Sequence, residues 1–171
     1  MKKELSKDKL NGIIRELSNT PIADKKEMDR RNSINPFHKS RTEKKGFRFQ
    51  NVKLIHYSID NKKLNSLIHD ITKGKTEDIQ SIYTVEFSNG DFAEPHIDTN
   101  SRTTLSLILE KNSIGGDLII EGVNSNLNKP GDYIIYDGAT TLHSVSKVVK
   151  GSRKSLIVFY IKNYSKTKTL Y

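Results

Sequence analysis

The apolar positions change period along the chain. Leu10, Ile13, Ile14 and Leu17 recur at helical spacing, which predicts an amphipathic helix within residues 4–17. Ser18-Asn19-Thr20-Pro21 ends it. Residues 22–46 are charged and without periodicity; Arg30-Arg31-Asn32-Ser33 and Lys39-Ser40-Arg41-Thr42 read as an exposed or mobile segment. A second helix carries Leu64, Leu67, Ile68 and Ile71, with Asp60 as its expected cap and Gly74 beyond its end. After residue 78 the period falls to two. Tyr83, Val85 and Phe87 alternate with Thr84 and Glu86, and Leu105, Leu107 and Leu109 alternate with Ser106 and Ile108. Asp117-Leu118-Ile119-Ile120 follows a Gly115-Gly116 turn, Tyr133-Ile134-Ile135-Tyr136 follows Pro130-Gly131, and Leu156 to Ile161 is one apolar run. Short strands separated by Gly, Pro and Asn turns predict a β-sandwich or barrel, with both helices on its outer face. There are no internal repeats.

Composition narrows the chemistry. The chain has 171 residues, enough for one domain with one sizeable core. No run approaches the roughly 18 apolar residues of a membrane span. No apolar segment follows Met-Lys-Lys-Glu-Leu-Ser-Lys, so the expectation is a cytoplasmic (intracellular) chain without a secretory signal. There are no cysteines, which rules out disulfides, thiolate nucleophiles and Cys-type zinc sites. Any metal must be held by His, Asp or Glu.

The net charge of +9 is uneven. Residues 1–50 carry 14 Lys/Arg against 7 Asp/Glu, leaving 15 against 13 for residues 51–171. The expected division is a basic N-terminal helix and mobile segment over 1–50, and a β-domain with its supporting helix over 51–171. A basic arm on a near-neutral body attracts a polyanion such as nucleic acid, although a Lys-rich solvated surface explains it equally simply. Residues 22–50 read either as a lid over a cavity or as a linker.

Of five histidines, two keep informative company. His96-Ile97-Asp98 ends a predicted strand, where residues i and i+2 share a face. His143 opens a later strand that can bring a third ligand to the same point. Two His and one carboxylate form the facial ligand set of non-haem iron(II) oxygenases, leaving three positions open. Arg153 stands ten residues after His143. If its strand is the hairpin partner of His143's, both side chains enter one cavity, where a guanidinium offers a planar fork to a carboxylate. Ser155 adds a hydroxyl two residues on. His38, His56 and His69 lack such company and read as structural, and Arg102 reads as solvating a turn.

The segment Tyr83 to Tyr160 resembles the double-stranded β-helix core (jelly-roll, cupin-like) of the Fe(II)/2-oxoglutarate-dependent dioxygenases. The resemblance rests on His96-Ile97-Asp98, Gly115-Gly116-Asp117-Leu118, Pro130-Gly131-Asp132, Leu142-His143-Ser144-Val145 and Gly151-Ser152-Arg153-Lys154-Ser155-Leu156. Their order is similar to the prolyl hydroxylase-like branch. It covers a little under half of the chain. It implies an all-β core with flanking N-terminal helices (α+β), Fe(II) on His96, Asp98 and His143, and 2-oxoglutarate with its distal carboxylate on Arg153 and Ser155. O2 would be the oxidant and ascorbate a candidate reductant.

Two departures stand out. The branch usually has Tyr three residues before the first ligand, where this chain has Ala93 beside Phe92. The strand after His-x-Asp often gives a Tyr to the cosubstrate, but here it reads Leu105-Ser106-Leu107-Ile108-Leu109. Tyr83 is the expected substitute for that hydroxyl.

The implied activity is hydroxylation of a C–H bond, first of a peptidyl side chain such as proline. His-Ile-Asp-Thr-Asn and Tyr-Asp-Gly also look like the thymine and methylcytosine oxygenases, so a nucleobase on nucleic acid is the alternative substrate. A cupin-like metal-binding module without catalysis, and a basic nucleic-acid adaptor on a vestigial core, are the competing classes.

Overall fold

The computed structural model describes residues 1–28, 52–98 and 101–162. His38 and most of the segment read above as a lid or linker lie outside the described residues. The strands are β1 (Lys3–Glu4), β2 (Lys53–Tyr57), β3 (Ile79–Phe87), β4 (Ala93–His96), β5 (Thr103–Lys111), β6 (Leu118–Ile120), β7 (Val123–Asn124), β8 (Asp132–Tyr136), β9 (His143–Val145) and β10 (Arg153–Tyr160). They form a six-stranded sheet, β1-β8-β5-β10-β3-β2, and a four-stranded sheet, β4-β9-β6-β7, with antiparallel pairing throughout. This is a double-stranded β-helix backed by helices.

Period-two alternation in the large sheet feeds two cores. Leu105, Leu107, Leu109, Tyr133, Leu156, Val158 and Tyr160 point to one face and pack with helices α1 (Lys7–Ser18) and α2 (Lys62–Thr72). Val85, Phe87, Ile108, Ile134 and Tyr136 point to the other and meet Ala93, Leu118 and Val145 of the small sheet. Strand β5 is therefore buried on both faces, which is why it reads as a nearly continuous apolar run.

In α1, Leu10, Ile13 and Leu17 face the core while Ile14 is left 41% exposed. Helix α2 starts one residue later than its sequence suggests. Asn61, not Asp60, is the cap, its Oδ1 accepting from the N–H groups of Lys63 (3.0 Å) and Leu64 (3.1 Å). At the other end the left-handed residue is Lys73 (φ 59°), one position before Gly74. Its N–H bonds to the carbonyl of His69, and the His69 ring contacts the Gly74 carbonyl, so this histidine belongs to the helix end. No helix among the described residues is long and apolar enough to cross a membrane.

Candidate metal and cosubstrate site

Strand β4 stops at His96, so Asp98 does not lie on the same pleat as the dipeptide spacing suggested. A turn delivers it instead. The Asp98 N–H donates to the Gly138 carbonyl (2.7 Å), in the loop that leads to His143. His96 and His143 are direct Cα partners across β4 and β9. The result is close convergence: one ligand atom from each of His96, Asp98 and His143 lies within 4.8 Å of the other two. Asp98 and His143 are buried, and the two imidazole centroids are 4.3 Å apart.

Hydrogen bonding sets the tautomers. Nδ1 of His96 lies 2.7 Å from the Glu94 carbonyl, and Nδ1 of His143 lies 3.0 Å from the Thr141 carbonyl. A carbonyl oxygen only accepts, so each Nδ1 carries a proton, and Nε2 is the nitrogen with which each ring, when neutral, can bind a metal. Those two nitrogens stand 3.8 Å and 3.4 Å from the Asp98 carboxylate oxygens. With both rings neutral, two lone pairs and an anion would face one volume, which a cation between them would stabilise. Three donors at about 2.1 Å from one ion would be about 3 Å apart, so the side chains stand slightly splayed around such a volume. The donor set suits a divalent transition ion with open positions.

Asp98 is itself held. Thr104 Oγ1 lies 3.3 Å from Asp98 Oδ2 and 3.0 Å from Ser101 Oγ, which donates to the Thr103 carbonyl. Gly138 leaves the room this packing needs: a Cβ there would fall 2.4 Å from Thr104 Oγ1 and 3.1 Å from Asp98 Oδ2. On the rim, half-exposed Arg102 pairs with Asp137 at 3.6 Å and its N–H donates to the Tyr160 carbonyl, tying the two ligand-bearing loops together.

Arg153 does not sit where the expected hairpin would put it. Strands β9 and β10 are not hairpin partners. Strand β9 pairs with β4 and β6 in the small sheet, while β10 lies between β3 and β5 in the large one. The connection through Gly151 crosses from one sheet to the other, so His143 and Arg153 approach the space between the sheets from opposite layers. Gly115-Gly116 packs under that crossing; a Cβ on Gly115 (φ 77°) would collide with the Lys147 carbonyl at 2.2 Å.

Arg153 is 2% exposed and Ser155 fully buried, and neither Arg153 Nε nor Ser155 Oγ has a hydrogen-bond partner among the described residues. The neighbouring carboxylate, Asp117, is taken by the Lys111 ammonium at 3.1 Å. Burial pulls the Arg153 guanidinium down to about 10, while Tyr136 and Asp117 act in the opposite direction. A buried cation with an orphan donor beside an orphan hydroxyl is costly by itself. It fits the carboxylate of a small acid.

Tyr83 lies on the cavity face of β3, where its ring packs 5.1 Å from His56 and edge-on 5.4 Å from Phe159. His56, read as structural, thus joins an aromatic wall. From sequence, Tyr136 had no role beyond the likeness of Tyr-Asp-Gly to the nucleobase oxygenases. It is 6% exposed, and its ring stands edge-on 5.1 Å from His143. Burial pushes its phenol well above the usual range; the charges of Asp98 and Tyr83 push the same way and Arg153 opposes them. Gly138 entered only as the last residue of that segment, and Thr104 was missed. The signal for Tyr136 was its parity with Ile134 on β8; nothing short of the β5–β8 register points to Thr104.

No family model matches the sequence, and no curated protein sequence matches it. Solved structures do. A prolyl hydroxylase from Trichoplax adhaerens, in complex with a hypoxia inducible factor peptide fragment, superposes with a TM-score of 0.60 at 13% identity, over 94% of this chain and 82% of that one. A prolyl-4-hydroxylase from Pseudomonas putida gives 0.57 at 15% identity, over 94% and 90%. A viral collagen prolyl hydroxylase from Paramecium Bursaria Chlorella virus-1, solved with 2-oxoglutarate, gives 0.57 at 13% identity, over 93% of each. At such identities the likeness shows the fold: the chain has the double-stranded β-helix in the arrangement of the prolyl hydroxylases.

Proposed function

We propose that the chain is an Fe(II)- and 2-oxoglutarate-dependent dioxygenase that hydroxylates a C–H bond of a peptidyl side chain. Two features support this reading: two imidazoles, on β4 and β9, converge with the Asp98 carboxylate, and the buried Arg153 of β10 has no counter-ion among the described residues. The first needs a cation and the second an anion. A metal-chelating 2-oxo acid with a second carboxylate satisfies both at once.

In this reading His96, Asp98 and His143 hold the ion, and Thr104 and the Gly138 carbonyl hold Asp98 in place. Arg153 and Ser155 take the distal carboxylate. Iron in this ligand set supplies the activation of O2, and the balanced reaction is 2-oxoglutarate + O2 + R–H → succinate + CO2 + R–OH. Register puts Phe159 opposite Thr104, which touches Asp98, so the wall of His56, Tyr83 and Phe159 borders the metal end of the cavity and offers a flat apolar surface to a substrate ring. The peptidyl substrate is supported by the fold's likeness to prolyl hydroxylases, one of which is bound to a peptide.

Succinate release is the test, measured with Fe(II), 2-oxoglutarate and O2 over a panel of proline-containing peptides and, separately, oligonucleotides. Turnover in the wild type that is lost in His96→Ala and Arg153→Ala supports the assignment. A wild-type protein that binds metal but neither binds nor consumes 2-oxoglutarate is a metal-binding module, and the proposal fails.

A further inference from the structure

Lys111 ends β5 and Arg153 begins β10, and the two are direct Cα partners, so two cations leave the large sheet on one face. At the next rung the same strands pair opposite charges, Lys154 with Glu110 at 3.8 Å. Like charges directly opposite are unfavourable, and here both are shielded, the Lys111 side chain being 7% exposed and Arg153 buried. The carboxylate at hand is Asp117. It follows Gly116, where a Cβ would lie 3.7 Å from Arg153 Cδ, so its backbone runs along the arginine stem. Resting on the cosubstrate reading above, we infer that Lys111 is a positioning residue: its ammonium holds Asp117 away from Arg153 and keeps the guanidinium unpaired for the distal carboxylate of 2-oxoglutarate.

Three observations carry this. The Lys111 ammonium has three N–H donors and three acceptors: Asp117 Oδ1 (3.1 Å), the Gly115 carbonyl (3.0 Å) and Ser113 Oγ (3.4 Å). It is therefore committed to its own turn and does not offer itself to a ligand. Arg153 is the cation left over, with its Nε unpartnered. The Asp117 backbone is pinned, its N–H donating to Ser146 Oγ (2.9 Å) and its carbonyl accepting from the Ser146 N–H (2.9 Å). Only its side chain is free to choose between the two cations. A carboxylate tethered this close to a buried guanidinium competes with any incoming acid at high effective concentration, and the ammonium removes that competitor.

The test uses full-length protein loaded with Mn(II), which avoids turnover, titrated calorimetrically with 2-oxoglutarate and with 2-oxopentanoate, which lacks the distal carboxylate. Lys111→Met releases Asp117 and should weaken 2-oxoglutarate binding roughly tenfold, the loss expected if an internal ion pair occupies Arg153 about nine-tenths of the time. The 2-oxopentanoate affinity should stay within about twofold of wild type, and Lys111→Met/Asp117→Asn should bring 2-oxoglutarate back to within about threefold. Wild-type affinity in Lys111→Met overturns the inference. So does a double variant as weak as the single one, which would mean that the lost turn bonds, not the freed carboxylate, caused the defect. A second measurement needs no ligand. In urea unfolding, Asp117→Asn and Arg153→Met should be nearly additive when Lys111 is present and clearly non-additive in the Lys111→Met background; equal coupling in both backgrounds also overturns the inference. A wild type that does not bind 2-oxoglutarate defeats the functional reading and the ligand half of this one, while the urea cycle still decides whether Lys111 parts the two charges.

Discussion

A methyl group added at Gly138 would sit 2.4 Å from Thr104 Oγ1, 3.0 Å from Asp98 Cβ and 3.1 Å from Asp98 Oδ2. An ordinary contact is about 3.5 Å, so the Thr104 hydroxyl has to retreat by roughly 1 Å. It has nowhere easy to go, since Thr104 is fully buried and its oxygen already touches Ser101 Oγ at 3.0 Å. Gly138→Ala therefore either breaks the bond to Asp98 or turns the carboxylate away from the two imidazoles. Overpacking of this kind costs about 1–3 kcal/mol, at about 2–4 °C per kcal/mol for a chain of this size. Disturbing a group that orients a metal ligand costs about 10–100-fold in affinity. The expected result is a metal-free melting temperature lower by several degrees and Mn(II) affinity reduced by about one to two orders of magnitude, read by calorimetry. In a Thr104→Ala background the same added methyl should cost measurably less, because the worst contact is gone, and this coupling separates the clash from a general backbone effect. If Gly138→Ala binds Mn(II) like wild type and melts at the same temperature, the close approach of the two loops is not what holds Asp98.

Arg153→Met should split stability from binding. Removing a buried, unpaired charge should leave the ligand-free melting temperature equal or higher, yet abolish the stabilisation by 2-oxoglutarate, about 2.7 kcal/mol at a hundredfold excess over Kd in wild type; a lower ligand-free melting temperature with intact stabilisation refutes it. Asp132 gives the chain an acid-sensitive turn. Burial pushes this carboxyl up, but the Lys2 ammonium at 2.9 Å and the N–H groups of Asn128 and Lys129 hold it below its ordinary value. Its contribution is thus complete above the unfolded-state value near 4 and lost as pH falls through the lower folded value; Asp132→Asn should flatten that limb of a urea-midpoint-versus-pH profile, and an unchanged limb counts against the assignment. Ile68→Ala, at a fully buried position between α2 and the large sheet, should cost about 2–5 kcal/mol in urea unfolding. Because that core lies behind the sheet, Mn(II) affinity should be unaffected below the transition.

What the sequence by itself determined follows from local rules. Period 3.6 placed α1 and α2, and period 2 placed the strands, because each follows from how side chains leave the backbone. Absence of cysteine left His, Asp and Glu as possible metal donors, the ordered motifs singled out His96, Asp98 and His143, and these converge. Only the tertiary structure decided the rest. The cap of α2 moved from Asp60 to Asn61 because the side chain that reaches two N–H groups wins over the one next to it. Arg153 and His143 lie on strands of different sheets rather than in one hairpin, since strand pairing is a long-range choice that ten residues of spacing cannot encode. Tyr136, Thr104 and Gly138 acquire meaning only through the register of β8 on β5 and the Asp98–Gly138 bond, which place beside the ligands residues distant from them in the chain. Periodicity says which face a side chain takes, but only folding says what stands opposite it.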